Sequence, residues 1–213
     1  MNRREALKNI GLSASYIAAT PTVFSILQSC KKETRVLDWT PELLSIDQSK
    51  VLEQLVDLIL PETDIPGAKS LHVPMFIDKY IKEVTRSEEE IKLFTDGATA
   101  IVKELGVNEN KSIDDITLET YHTILTKYLK MPKAQQQEYQ KKLRQLDLSD
   151  TSDRSSPEFL SYTFLTTVRE LSIFGFKTSE EIGKNVLNYS PVPGEYIGCD
   201  AIQNLTEGKD WAL

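Results

Sequence analysis

Few residues of this 213-residue chain have types and spacings that could do chemistry, and Glu119-Thr120-Tyr121-His122 is the sharpest set. A Glu-x-x-His step places both side chains on one helical face, as in bundles that hold paired metal ions. Such a centre needs a second Glu-x-x-His from another helix. The other histidine, His72, has Lys69 three residues ahead of it, so the motif is unpaired and His122 is expected at the surface. Cys199 stands between Gly198 and Asp200. A reactive thiol needs a basic neighbour to lower its pKa, and Asp200 does the reverse, so a structural, partly buried cysteine is expected. No G-x-S-x-G elbow is present to carry a serine nucleophile. The nine glycines form neither G-x-G-x-x-G nor G-x-x-x-x-G-K-[ST], which leaves no phosphate cradle. There is no C-x-x-C-H for haem, and two cysteines cannot hold an iron–sulfur cluster. The expectation is a chain with no catalytic, cofactor-binding or metal-binding residues of its own.

The N-terminus carries information of another kind. Arg3-Arg4 followed by Ala6-Leu7-Lys8 resembles the twin-arginine export signal, with Ala6 where that pattern prefers Phe. Asn9 to Ser29 is a run of 21 residues without a charge, long enough to span a membrane. It also holds Gly11, Ser13, Ser15, Thr20, Thr22 and Ser25 and is broken by Pro21, which reads as a removable h-region. Leu27-Gln28-Ser29-Cys30 resembles a lipobox, Gln28 being its less usual member. Acylation of Cys30 by more than one chain would anchor the protein stably, since each buried methylene contributes about 0.8 kcal/mol. The expected product is exported, lies on the periplasmic or outer-surface side, and is tethered by lipid on Cys30. Its divisions are a signal at 1–29, a tether at 30–41 and a folded domain at 42–213. The alternatives are an ordinary thiol at Cys30 and an uncleaved span.

Behind the signal the chain is acidic. It has a formal net charge of −7, and loss of residues 1–29 makes it two units more negative. That balance disfavours nucleic acid, whose binding needs lysines and arginines to displace counterions. With Cys30 acylated, Cys199 has no disulfide partner, so a hydrophobic core must supply the stability. The dominant period is helical. Val51, Leu52, Leu55, Val56, Leu58 and Ile59 define an apolar face over Asp47 to Leu60, closed by Pro61. The turn-rich PETDIPGA, Pro61 to Ala68, follows. Further helices are expected over Val73 to Val84, Ser87 to Leu105 and Thr117 to Leu129, with a polar surface helix over Lys133 to Leu146. Ser156-Pro157-Glu158 caps a long, apolar and central helix expected to carry Phe159 to Ile173 and to stop at Gly175. Thr178 to Glu181 caps a short one, and Asn188 to Cys199 is an ordered loop rich in Pro, Gly and Tyr. The fold class is all-α, a single helical bundle with an irregular C-terminal segment.

Four of these segments carry a family resemblance. PETDIPGA, VPMFIDKYI (73–81), FLTTVRELSIFGFKTSEEIG (164–183) and NYSPVPGEYIGC (188–199), in that order, resemble the gluconate 2-dehydrogenase subunit 3 family over about Pro41 to Cys199. The departures are Val192-Pro193-Gly194, where a more glycine-rich turn is common, and the varied stretch Ile173 to Phe176. The resemblance implies a non-catalytic small subunit accompanying a large FAD-containing dehydrogenase of the glucose-methanol-choline type, often with a cytochrome c subunit carrying haem. The large subunit would oxidise a sugar or sugar acid. A twin-arginine signal suits that role, because the route carries folded, cofactor-loaded assemblies. The rival readings are a free-standing lipoprotein binding a small ligand between its helices and a self-sufficient, metal-dependent enzyme.

The expected partner interface is the C-terminal loop, at Tyr189, Pro193, Gly194 and Tyr196. Prolines fix its backbone and glycines permit tight turns, so the tyrosines are held at little further entropy cost. Rigid tyrosines are favoured interface anchors. The competing view has both rings packed inward on the long helix.

Overall fold

A computed structural model of the chain describes residues 36–85, 87–107, 111–146, 156–192, 194–195 and 197–212. Arg3, Arg4 and Cys30 of the export and lipidation motifs lie outside the described residues, as do Pro193 and Tyr196 of the expected interface. From Val36 onward the chain forms one compact unit. No described helix is long and apolar enough to cross a membrane.

Local signals place the helices close to where the periodicity sets them. Helix α1 spans Ile46–Ile59 and opens on a capping box, in which Ser45 and Gln48 each accept from the other's backbone N–H. Helix α2 spans Val73–Glu83, with Pro74 in its first turn. Helix α3 spans Glu88–Glu104, capped by Ser87 and carrying three glutamates in its first turn, where the helix dipole favours negative charge. A 3-10 turn at Ile113–Asp115, which the periodicity does not reveal, leads to α4, Leu118–Leu129, capped by Thr117. Helix α5, Lys133–Gln145, buries no residue completely, as its polar sequence requires. Helix α6, Pro157–Thr178, is capped by Ser156, and α7, Glu180–Asn185, by Ser179. A last short helix, α8, Ile202–Thr206, lies beyond the segments expected to be helical. Among the described residues there is no strand, and Asn188 and Trp211 form an isolated bridge, so the fold is all-α.

Helix α6 is the hub, touching α1 to α5 as well as α7. Phe159, Tyr162, Phe164, Leu165 and Val168 are buried around it, each contributing roughly 1.5–3 kcal/mol by leaving water. Two expectations about this helix are corrected. It does not stop at Gly175 but runs to Thr178, and Ile173, expected inside, is exposed. Gly175 serves packing instead. A Cβ there would stand 2.7 Å from Cδ1 of Phe76, so its absence lets α2 settle on α6. Gly97 does the same for α3, where a Cβ would meet the Leu160 carbonyl oxygen at 2.8 Å and Phe164 Cβ at 2.7 Å. Val84, the last residue of the expected Val73 to Val84 helix, is exposed just past the end of α2.

One polar anchor holds the start of the unit. The buried Asp78 carboxylate accepts from the amides of Glu42 at 2.7 Å, Leu43 at 3.2 Å and Leu44 at 2.9 Å. Three converging N–H donors compensate a carboxylate withdrawn from water, and they tie the segment ahead of α1 to α2.

Candidate functional site

The residues with chemical potential are not brought together. Glu119 and His122 are both exposed on α4, and His122 is at the surface as expected. His72 lies ahead of α2 as its N-cap, in the left-handed region at φ 54°, with Nδ1 3.8 Å from Asp38 Oδ2. No group of three or more His, Cys, Asp or Glu able to hold a metal occurs among the described residues. Cys199 is exposed, which corrects the expectation of a partly buried structural cysteine. It follows a tail whose described residues from Tyr189 are all exposed, so no apolar wall is there to cover it. Asp200 faces a local task. It accepts from Asn204 Nδ2 at 2.8 Å and the Ala201 amide at 2.7 Å, and these bonds, Asn204's first, lower its pKa.

A polar network that sequence reasoning missed links α3, α4 and α6. Glu104 receives Lys127 Nζ at 2.6 Å, the Tyr128 hydroxyl at 2.7 Å and Ser161 Oγ at 3.4 Å, beside a cleft of about 550 Å³. The hydrogen bond to Glu104 raises the Lys127 pKa well above its ordinary value. Burial, then the bond to Glu104, raises that of Tyr128. Lysine and tyrosine are thus both held protonated, and the carboxylate is occupied by donors. Chemically this is a cross-brace between helices, not a poised base. No local period marks it, because Glu104 and Ser161 are 57 residues apart.

The surface offers a clearer feature. Phe76 and Tyr80, one turn apart on α2, meet Phe174 of α6 in a three-ring cluster, with centroid separations of 5.5, 6.0 and 6.1 Å. Phe174 is 42% exposed and Ile173 43%, so an aromatic and aliphatic patch faces outward where Gly175 lets the helices approach. Of the residues expected at an interface, Tyr189 is 50% exposed, and space around Gly194 is open. About half of Tyr189 is thus open to solvent. Its neighbour Asn188 is fixed by backbone bonds with Asp210 at 2.8 Å and Ala212 at 3.0 Å, and Lys177 pairs with Asp210 at 3.0 Å. The tail thus leaves the bundle from a fixed point.

No curated protein and no solved structure matches the chain significantly. A family model does: that of gluconate 2-dehydrogenase subunit 3 matches residues 46–194, from the first residue of α1 to Gly194 in the exposed tail. It takes in all three helices that carry the Glu104 brace and both that form the aromatic patch. That is well over half of the chain, which therefore belongs to the gluconate 2-dehydrogenase subunit 3 family.

Proposed function

We propose that this accessory subunit serves an exported, membrane-tethered dehydrogenase whose catalytic flavoprotein carries FAD and oxidises a sugar or sugar acid. Its task is to assist the export, maturation or anchoring of that partner. Family membership across residues 46–194 is the observation that carries the reading, since it implies a catalytic partner. Support comes from two features. The twin arginines and Cys30 supply an address and an anchor in sequence, and the Phe76–Tyr80–Phe174 patch with Tyr189 supplies exposed aromatic area of the kind interfaces use. A cytochrome c subunit, with haem, is the further expected member of the complex.

The test is co-purification of the tagged chain from its native membrane in mild detergent. A stoichiometric protein carrying flavin is expected in the eluate, with dehydrogenase activity toward sugars or sugar acids. A chain that elutes alone, under conditions that keep other membrane complexes intact, would overturn the reading.

A further inference from the structure

Helix α5 gathers positive charge in an acidic molecule. Residues 130–145 hold five lysines and arginines against one acid, Glu138, in a chain whose net charge is −7. Lys133, Gln137, Gln140, Lys141 and Arg144 recur at helical spacing, which sets them in one stripe along the helix. All five are exposed, and Glu138 lies off the stripe. Another side of the helix does the packing. Tyr139 meets the rings of Phe159 and Tyr162 at 5.7 and 5.1 Å, and Lys142 Nζ lies 4.8 Å over Phe159. Lysines elsewhere sit against carboxylates, as Lys50 does with Asp114 at 3.1 Å, Lys69 with Glu53 at 2.6 Å and Lys184 with Glu180 at 2.6 Å. Among the described residues, Lys133, Lys141 and Arg144 have no such partner. Like charges three apart on one face, as Lys141 and Arg144 are, repel slightly, so the stripe does not serve the fold.

We infer that the outer face of α5 binds the anionic headgroups of a phospholipid bilayer. The inference rests on the membrane-tethered reading above, in which a lipid on Cys30, six residues ahead of Val36, holds the unit beside a membrane. Headgroup phosphates need only cations that stay hydrated, and each lysine or arginine near an anionic surface adds to the attraction. A protein partner needs something else. Lysine is depleted from protein interfaces, which are built on aromatic and apolar anchors, and this stripe has none. The remainder of the chain is acidic and is repelled by the same surface, so the α5 side turns toward it. The lipid retains the chain and α5 orients it, a pairing of lipid and basic patch that gives stable attachment. The aromatic patch assigned to the flavoprotein is carried by α2 and α6, not by α5.

The experiment reconstitutes the purified full chain on vesicles of phosphatidylcholine alone, or of phosphatidylcholine and phosphatidylglycerol in equal parts, and follows acetylation of individual lysines by mass spectrometry. Floatation with the neutral vesicles reports the tether, and protection of α5 reports the face. Lys133 and Lys141 are expected to react about fivefold more slowly on the anionic vesicles, since three basic side chains favour the docked orientation by more than that factor. Lys92 on α3 and Lys184 on α7 keep their rates. In about 1 M sodium chloride, where the screening length is about 3 Å, the difference disappears. Lys133→Gln combined with Arg144→Gln returns Lys141 to its neutral-vesicle rate, and because both side chains are exposed and unpaired the variant melts as wild type does. Equal rates of Lys133 and Lys141 on the two vesicles, or uniform slowing of all lysines, would overturn the assignment. Protection by soluble polyglutamate where vesicles give none would overturn it in favour of an acidic protein. A chain that fails to float with neutral vesicles sinks the tether instead, and the anionic arm, run at excess vesicle, still decides the face.

Discussion

At the scale of single residues, two groups carry testable weight. Asp78 gathers three amides 34 to 36 residues away in sequence, so Asp78→Ala leaves those donors without their acceptor and frees the lead-in to α1. The expected loss is about 3 kcal/mol, at the level of charge-assisted bonds, read as a lowered urea midpoint. A loss below about 1 kcal/mol would mean that the amides find water at no cost. Tyr128 belongs to pH dependence. Its folded pKa is raised, chiefly by burial, so folding favours the protonated phenol and that contribution is fully present below pH about 10. It is lost as pH rises through the folded value, and Lys127, also raised, acts in the same direction. Urea midpoints measured from pH 8 to 11 should therefore fall on the alkaline side, and less steeply in Tyr128→Phe. Parallel curves for the two proteins would assign the alkaline loss to other groups.

At the scale of elements, packing turns on places where a side chain is absent. Gly97→Ala gains about 1 kcal/mol of helix propensity but drives a methyl group into the Leu160 carbonyl and Phe164 Cβ. Neither of those atoms can move without the α6 backbone. Overpacking of this kind costs about 1–3 kcal/mol, so a net drop of several degrees in melting temperature is expected. Gly175→Ala meets the ring of half-buried Phe76 at the surface, an obstacle that can turn aside. Its melting temperature should fall less than that of Gly97→Ala. Measured side by side by circular dichroism, the reverse order would show that α2, not α3, is the less yielding neighbour of α6.

At the scale of the whole molecule, the question is which surface meets the partner and how the chain reaches it. Phe174 is ringed by Phe76 and Tyr80 yet 42% exposed, so Phe174→Ser removes interface area with little loss of core. Co-purification of the flavoprotein should weaken by about 2 kcal/mol, as for hot-spot truncations, with the isolated domain melting nearly as before. An unchanged complex would move the interface to the tail, where Tyr189→Ala is the corresponding variant. Sorting is tested apart from docking. Lysines at Arg3 and Arg4 should block export, whereas Cys30→Ala should permit export and release the domain from the membrane. Normal export of the lysine pair would end the twin-arginine reading.

Sequence alone determined what short-range physics controls. The apolar period places α1 to α6, and Ser or Thr caps mark where α1, α3, α4 and α6 begin, because period and cap each depend on residues within a turn or two. Four ordered segments pointed to the family that the match over residues 46–194 bears out. Tertiary structure decided what depends on neighbours distant in the chain. Gly175 has a stop signal's composition but lies opposite Phe76, and helix contact outweighs the local cost of a glycine. Cys199 is exposed because the tail leaves the bundle, a matter of direction that composition does not carry. The Asp78 anchor joins α2 to the segment ahead of α1, and the Glu104 brace draws its members from three helices. Only the angles and spacings at which those helices pack bring such residues within a few ångströms of one another.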